Sequence, residues 1–160
     1  MIKLKTFEED FDFSNTPYHE VKYKKIRDGL HLINYITNTF GSEIQYIIDR
    51  MLDFSRGCFN QYDQCYLDVK VRDLKAGDSG DYFNEWHTDW VKDINHPNKP
   101  ETHIIYTNIF GTHYIENGLE QQCENNSIYM YKRDLHKSPI VTKDCKRVLI
   151  RLSFVDRQRQ

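Results

Sequence analysis

Cys65-Tyr66-Leu67-Asp68-Val69-Lys70-Val71-Arg72 alternates strictly: Cys65, Leu67, Val69 and Val71 fall on one face, and Tyr66, Asp68, Lys70 and Arg72 on the other. A period of two is that of a strand with one face buried. Upstream the period is helical. Ser42, read as N-cap, precedes Ile44, Ile47, Ile48, Met51 and Leu52 at i, i+3, i+4, i+7, i+8 spacing, and the stripe ends near Gly57. Leu30, Ile33, Ile36 and Phe40 give a looser helical stripe before it. Downstream, short strands are expected at Phe83–Thr88, His103–Phe110, Thr112–Glu116, Ser127–Lys132 and Arg147–Asp156, separated by polar turns such as AGDSGD (76–81) and KSPIVTKD (137–144). Helices first and short strands after predict an α+β class. Helical support over about residues 1–60 would pack on one sheet of a sandwich or barrel over about 64–156. No repeat, low-complexity tract or linker divides the chain, so 1–160 reads as one domain.

The 160 residues are 39% hydrophobic and 29% charged, enough apolar mass for a real core. Lys plus Arg total 22 against 24 Asp plus Glu, a formal charge of −2, so no basic field favours non-specific nucleic-acid binding. No apolar run approaches the roughly 20 residues of a membrane span, and MIKLKTFEEDFDF lacks a signal-type apolar stretch. A cytoplasmic address without membrane attachment is the expectation. Cys58, Cys65, Cys123 and Cys145 form no CxxC pair and read as buried or idle thiols.

Chemistry concentrates in Glu85-Trp86-His87-Thr88-Asp89-Trp90. On a strand, His87 and Asp89 point the same way and can reach one metal, while Trp86 and Trp90 take the opposite parity and pack beneath. Two ligands leave a divalent ion under-coordinated. Arg133-Asp134-Leu135-His136 supplies a third in His136, and two histidines with one carboxylate are the ligand set of a non-haem Fe(II) oxygenase with open positions. In Arg147-Val148-Leu149-Ile150-Arg151-Leu152-Ser153-Phe154 the apolar residues alternate with Arg147, Arg151 and Ser153. A buried guanidinium wants a carboxylate to hold in two-pronged fashion, and a ligand can provide it.

These residues resemble the Fe(II)/2-oxoglutarate-dependent dioxygenases, whose double-stranded β-helix, a jelly-roll or cupin-like fold, carries a His-x-Asp…His triad followed by Arg-x-Ser. The resemblance covers about Tyr66 to Phe154. It places His87, Asp89 and His136 on the metal triad and Arg151-Leu-Ser153 on the 2-oxoglutarate anchor, with Arg147 a competing anchor; His136-Lys-Ser-Pro139 is similar to the turn after the distal ligand. The resemblance implies Fe(II) as cofactor, 2-oxoglutarate as co-substrate and hydroxylation of a C–H bond. If Arg151 takes the co-substrate, Arg147 is left for an acidic group on the prime substrate. Tyr66, Asn108 and Tyr129 are candidates to assist the arginine.

Loops flanking the ligands would recognise the prime substrate: Lys75–Tyr82, with Gly77 and Gly80, as a lid, and Val91–Glu101, with His96, Pro97 and Pro100. His19 and His31 read as surface or helix residues, and His103 and His113 as strand residues able to line a pocket. Neither the prime substrate, small molecule or macromolecule, nor the oligomeric state follows from the sequence. Two rival readings share the fold: a metal-binding cupin that does not use 2-oxoglutarate, and a non-catalytic β-helix that binds a partner.

Overall fold

The computed structural model describes residues 1–81, 84–89 and 101–156. Its class is α+β, with most elements in antiparallel sheet. In chain order they are β1 (Ile2–Thr6), β2 (His19–Ile26), α1 (Gly29–Thr39), α2 (Ser42–Ser55), α3 (Cys58–Gln61), β3 (Gln64–Leu74), β4 (Glu101–Thr107), β5 (His113–Glu116), β6 (Leu119–Gln122), β7 (Ser127–Tyr131), β8 (His136–Lys137) and β9 (Cys145–Val155). A six-stranded sheet runs β1-β7-β4-β9-β3-β2, and a three-stranded sheet runs β6-β5-β8.

The alternation of β3 separates the two faces of the large sheet. Cys65, Leu67, Val69 and Val71 join Ile104, Tyr106, Ile128, Val148, Ile150, Leu152 and Phe154 in one core with the helices. The helices bury complementary stripes. In α2 these are Ile44, Ile47, Ile48, Met51 and Leu52, as the spacing predicts. The helix begins one residue off the expected cap, because Gly41 is the N-cap and makes no side-chain capping bond. In α1 the buried stripe is Leu32 and Ile36, continued by Phe40, and Leu30 and Ile33 face solvent. Residues 32, 36 and 40 form one i, i+4, i+8 ridge, which the looser stripe through Leu30 and Ile33 misses. On the opposite face Ile105, Tyr129, Tyr131 and Leu149 pack with Tyr114 and Cys123 into a second, smaller cluster.

The N-terminal third is not helical throughout. β1 pairs with β7 and β2 with β3, so two strands from this region form the two edges of the large sheet. Both are rich in lysine, a residue type that discourages edge-to-edge association. β2 also carries a register shift between Val21 and Lys24, with Tyr23 at φ 52°, which destroys the two-residue period.

The strand expected at Phe83–Thr88 is not continuous among the described residues: within 84–89, His87 forms an isolated bridge with His136. Phe83 and Tyr82, together with Trp90, His96, Pro97, Pro100 and the rest of 90–100, lie outside the described residues. The Lys75–Asp81 part of the expected lid is pinned by backbone bonds: Gly77 N–H donates to Val141 O, Val141 N–H to Asp78 O and Gly80 N–H to Pro139 O. No helix among the described residues is long and apolar enough to cross a membrane. Cys65 and Cys123 are buried free thiols, and burial pushes Cys123 up to about 12.

Candidate metal centre

The bridge between His87 and His136 is made by reciprocal backbone bonds, His87 N–H to His136 O and His136 N–H to His87 O, each 2.9 Å. Two histidines 49 positions apart in the chain are thereby placed with ring centroids 4.4 Å apart. Asp89 completes the group, and one ligand atom from each of His87, Asp89 and His136 lies within 4.8 Å of the others. Asp89 Oδ1 is 3.6 Å from His87 Nε2 and 3.4 Å from His136 Nε2. Ligand atoms about 2.1 Å from a shared ion lie roughly 3 Å apart, so a small inward movement closes this group on one cation.

The imidazoles are oriented for that role. His87 Nδ1–H donates to Glu85 O at 2.7 Å, and His136 Nδ1–H donates to Asp134 O at 2.8 Å. A carbonyl can only accept, so each bond fixes the proton on Nδ1 and leaves Nε2 as the lone-pair atom facing Asp89. His136 is buried and His87 partly exposed, giving one sheltered and one accessible side.

Asp89 Oδ2 accepts from Tyr131 Oη at 2.6 Å and from Arg151 Nη1 at 2.8 Å. Burial raises the Asp89 carboxyl, but the Arg151 guanidinium and the neighbouring His136 and His87 imidazoles outweigh it and hold the group well below the usual carboxylate range. Conversely, the Asp89 carboxylate, as acceptor for the protonated ring, lifts the His87 imidazole above its ordinary value against partial burial. Arg151 is shared: its Nη2 lies 3.2 Å from Asp68 Oδ2, and Asp68 Oδ1 accepts from the Tyr23 backbone N–H at 3.0 Å. The β2 bulge thus anchors Asp68, Asp68 holds Arg151, and Arg151 holds Asp89. With neutral imidazoles, two carboxylates and one guanidinium leave a net negative charge in a secluded place, which a divalent cation would reverse.

The other expected anchor residues are distributed differently. Ser153 Oγ bonds His103 Nδ1 at 2.9 Å, and His103 Nε2 lies 2.5 Å from Glu101 Oε2; all three side chains are buried. The serine is therefore engaged with protein. Arg147 is also buried, donating Nε–H to Phe110 O at 3.0 Å and Nη1–H to Gly80 O at 3.3 Å, while its Nη2 has no hydrogen-bond partner. Burial lowers Arg147 to about 10, an effect that the Asp81 carboxylate offsets only in part. Gly80 permits this packing, since a Cβ there would stand 3.0 Å from Arg147 Cζ.

Of the proposed assistants, Asn108 is spent on β9, its side chain donating to Lys146 O and accepting from Val148 N–H. Tyr129 Oη accepts from Glu124 N–H at 3.0 Å, and Tyr66 is half-buried opposite Ser153. Trp86 lies under the Lys137 ammonium, 4.7 Å from its ring centroid. His113 Nδ1 lies 3.2 Å from Glu120 Oε1.

Asp68, Tyr131 and Glu101 belong to the surroundings of the centre and were not singled out by sequence reasoning, whereas His103, expected on a strand and able to line a pocket, is buried on β4 beside Tyr131. Their common signal is polarity on the strand face opposite the helices, but cross-strand register decides which of them meet. No protein-family profile, no curated protein and no solved structure matches the chain.

Proposed function

We propose that this chain is an Fe(II)/2-oxoglutarate-dependent oxygenase, a hydroxylase acting on a C–H bond of its prime substrate. The observation that carries the reading is the convergence of His87, Asp89 and His136, with both Nε2 atoms turned inward, on the sheet face that also holds a buried guanidinium with an unpartnered N–H group. Strand order supports a double-stranded β-helix. From β3 onward the chain alternates between the large sheet and the opposing layer: β3, the His87 bridge, β4, the β5–β6 hairpin, β7, β8 and β9.

Iron bound by His87, Asp89 and His136 would supply the oxidative chemistry, in which dioxygen and 2-oxoglutarate give carbon dioxide, succinate and a hydroxylated product. The chain's own residues then have distinct tasks. Asp89 contributes charge and one oxygen, and the two imidazoles contribute neutral nitrogen ligands on the same side. Arg147 is the better anchor for the far carboxylate of the co-substrate, because it is buried with its Nη2 free of any hydrogen-bond partner, whereas Arg151 already serves Asp68 and Asp89. This exchanges the two arginines of the Arg151-Leu-Ser153 expectation. Leu149, between them on the same face, and Tyr129 and Ile105 beside it give an apolar surround that limits water.

Anaerobic titration with Fe(II) and then 2-oxoglutarate tests the reading through the weak visible charge-transfer band of the chelated pair. The band is expected in the unmodified protein and absent in His136→Ala. Iron binding without a band would make this a metal-binding cupin-type protein, and no iron binding would leave a β-helix whose business is with a partner.

A further inference from the structure

We propose that Tyr131 is a positioning residue that makes Asp89 a one-oxygen metal ligand, an inference that rests on the metal reading above. Asp89 Oδ2 takes both donors, Tyr131 Oη at 2.6 Å and Arg151 Nη1 at 2.8 Å, while Oδ1 faces the two imidazole nitrogens. A carboxylate held this way cannot turn both oxygens to an ion without giving up at least one of two charge-assisted hydrogen bonds. One oxygen and two nitrogens leave three positions of an octahedral ion for other ligands. A two-oxygen carboxylate would leave two.

The tyrosine is placed for this by its own surroundings. Its ring stacks on His103 with centroids 4.8 Å apart and planes 23° from parallel, and meets His136 edge-on at 5.1 Å. His103 is in turn fixed between Ser153 and Glu101. The buried Glu101–His103–Ser153 chain therefore does its work through the Tyr131 ring: with the imidazole immobile, the phenol has one direction in which to point, and that direction is Asp89. Tyr131 touches two of the three ligand residues and is buried, so it acts through Asp89 and does not need contact with substrate.

Co(II), added alone to the metal-free full chain, is the probe, because its visible bands report coordination. Unmodified protein should bind one equivalent, and His87→Ala should bind none. Tyr131→Phe keeps the stacked ring and removes only the hydroxyl. It should retain the far-ultraviolet circular dichroism of the parent, bind Co(II) about 10- to 100-fold more weakly, and show altered visible bands. Parent-like affinity and bands in Tyr131→Phe would overturn the Tyr131 role while leaving the metal site standing. No Co(II) binding by unmodified protein would overturn both. A second measurement needs no variant: infrared difference spectra of aspartate-labelled protein on Co(II) addition. A wide separation of the carboxylate stretches supports one-oxygen ligation, and a narrow one overturns it.

Discussion

Arg147 and Arg151 are four residues apart on one strand and have the same side-chain chemistry, yet their surroundings give them different work. Arg151 lies between Asp68 and Asp89, and both carboxylates together with Tyr131 raise it well above its ordinary value despite burial. Removing it leaves Asp68, only 2% exposed, without its cation. Breaking a buried pair from one side costs about 3–5 kcal/mol. Arg151→Ala is therefore expected to lower the melting temperature by about 10 °C, at roughly 2–4 °C per kcal/mol for a chain of this size. Arg147→Ala should behave differently, because Arg147 bonds backbone carbonyls where Arg151 bonds two carboxylates. Its melting temperature should fall less than that of Arg151→Ala, since the loss is of two hydrogen bonds to backbone carbonyls, while the apparent 2-oxoglutarate affinity of the iron-loaded protein falls about 10-fold or more, the worth of a charge-assisted hydrogen bond. Thermal melting and the charge-transfer titration on both variants check the contrast, and the opposite pattern would return the anchor to Arg151.

At the level of elements, the β5–β6 hairpin is closed at its base by a close backbone approach as well as by side chains. Gly111 sits just before β5, and Cys123 N–H just after β6 donates to Thr112 O at 2.9 Å. A Cβ at Gly111 would lie 2.2 Å from Cys123 O, a backbone atom with nowhere to retreat. Gly111→Ala should cost about 3 kcal/mol, the upper part of the range for overpacking, and should splay the β5–β6 hairpin from the smaller core that contains Tyr114 and Cys123. Hydrogen exchange would show the loss as faster exchange in residues 113–122, with β3 and β9 less affected. Unchanged protection there would mean that the hairpin does not depend on this contact.

The whole molecule is a three-layer arrangement in which the helices cover one face of the large sheet and the small sheet covers part of the other, leaving the carboxylates and guanidiniums between the sheets. His87, Asp89 and His136 come from distant parts of the chain and meet in that polar layer, so a divalent ion that binds them in the folded chain should stabilise it as a unit. At a free concentration 100 times its dissociation constant the gain is about 2.7 kcal/mol, or roughly 5–11 °C in melting temperature. Addition of Fe(II) under anaerobic conditions should produce the rise, a chelator should reverse it, and Asp89→Ala should abolish it. A melting temperature indifferent to metal would argue against any site at the triad.

The sequence by itself determined what local periodicity can encode. The strict alternation from Cys65 to Arg72 and the helical stripe from Ile44 to Leu52 were legible, because side-chain direction repeats every 2 residues in strands and every 3.6 in helices; His87 and Asp89 meet without the expected strand, through an isolated bridge at His87 and a turn at Asp89. The α+β class followed from the order of these periods along the chain. Tertiary structure alone decided the edge strands β1 and β2, since short lysine-rich strands and a bulge at Tyr23 carry no clean period. It also decided the partners inside the site. Which arginine is occupied and which buried imidazole braces Tyr131 depend on cross-strand register and on sheet-to-sheet packing, relations between residues tens of positions apart that no local pattern records.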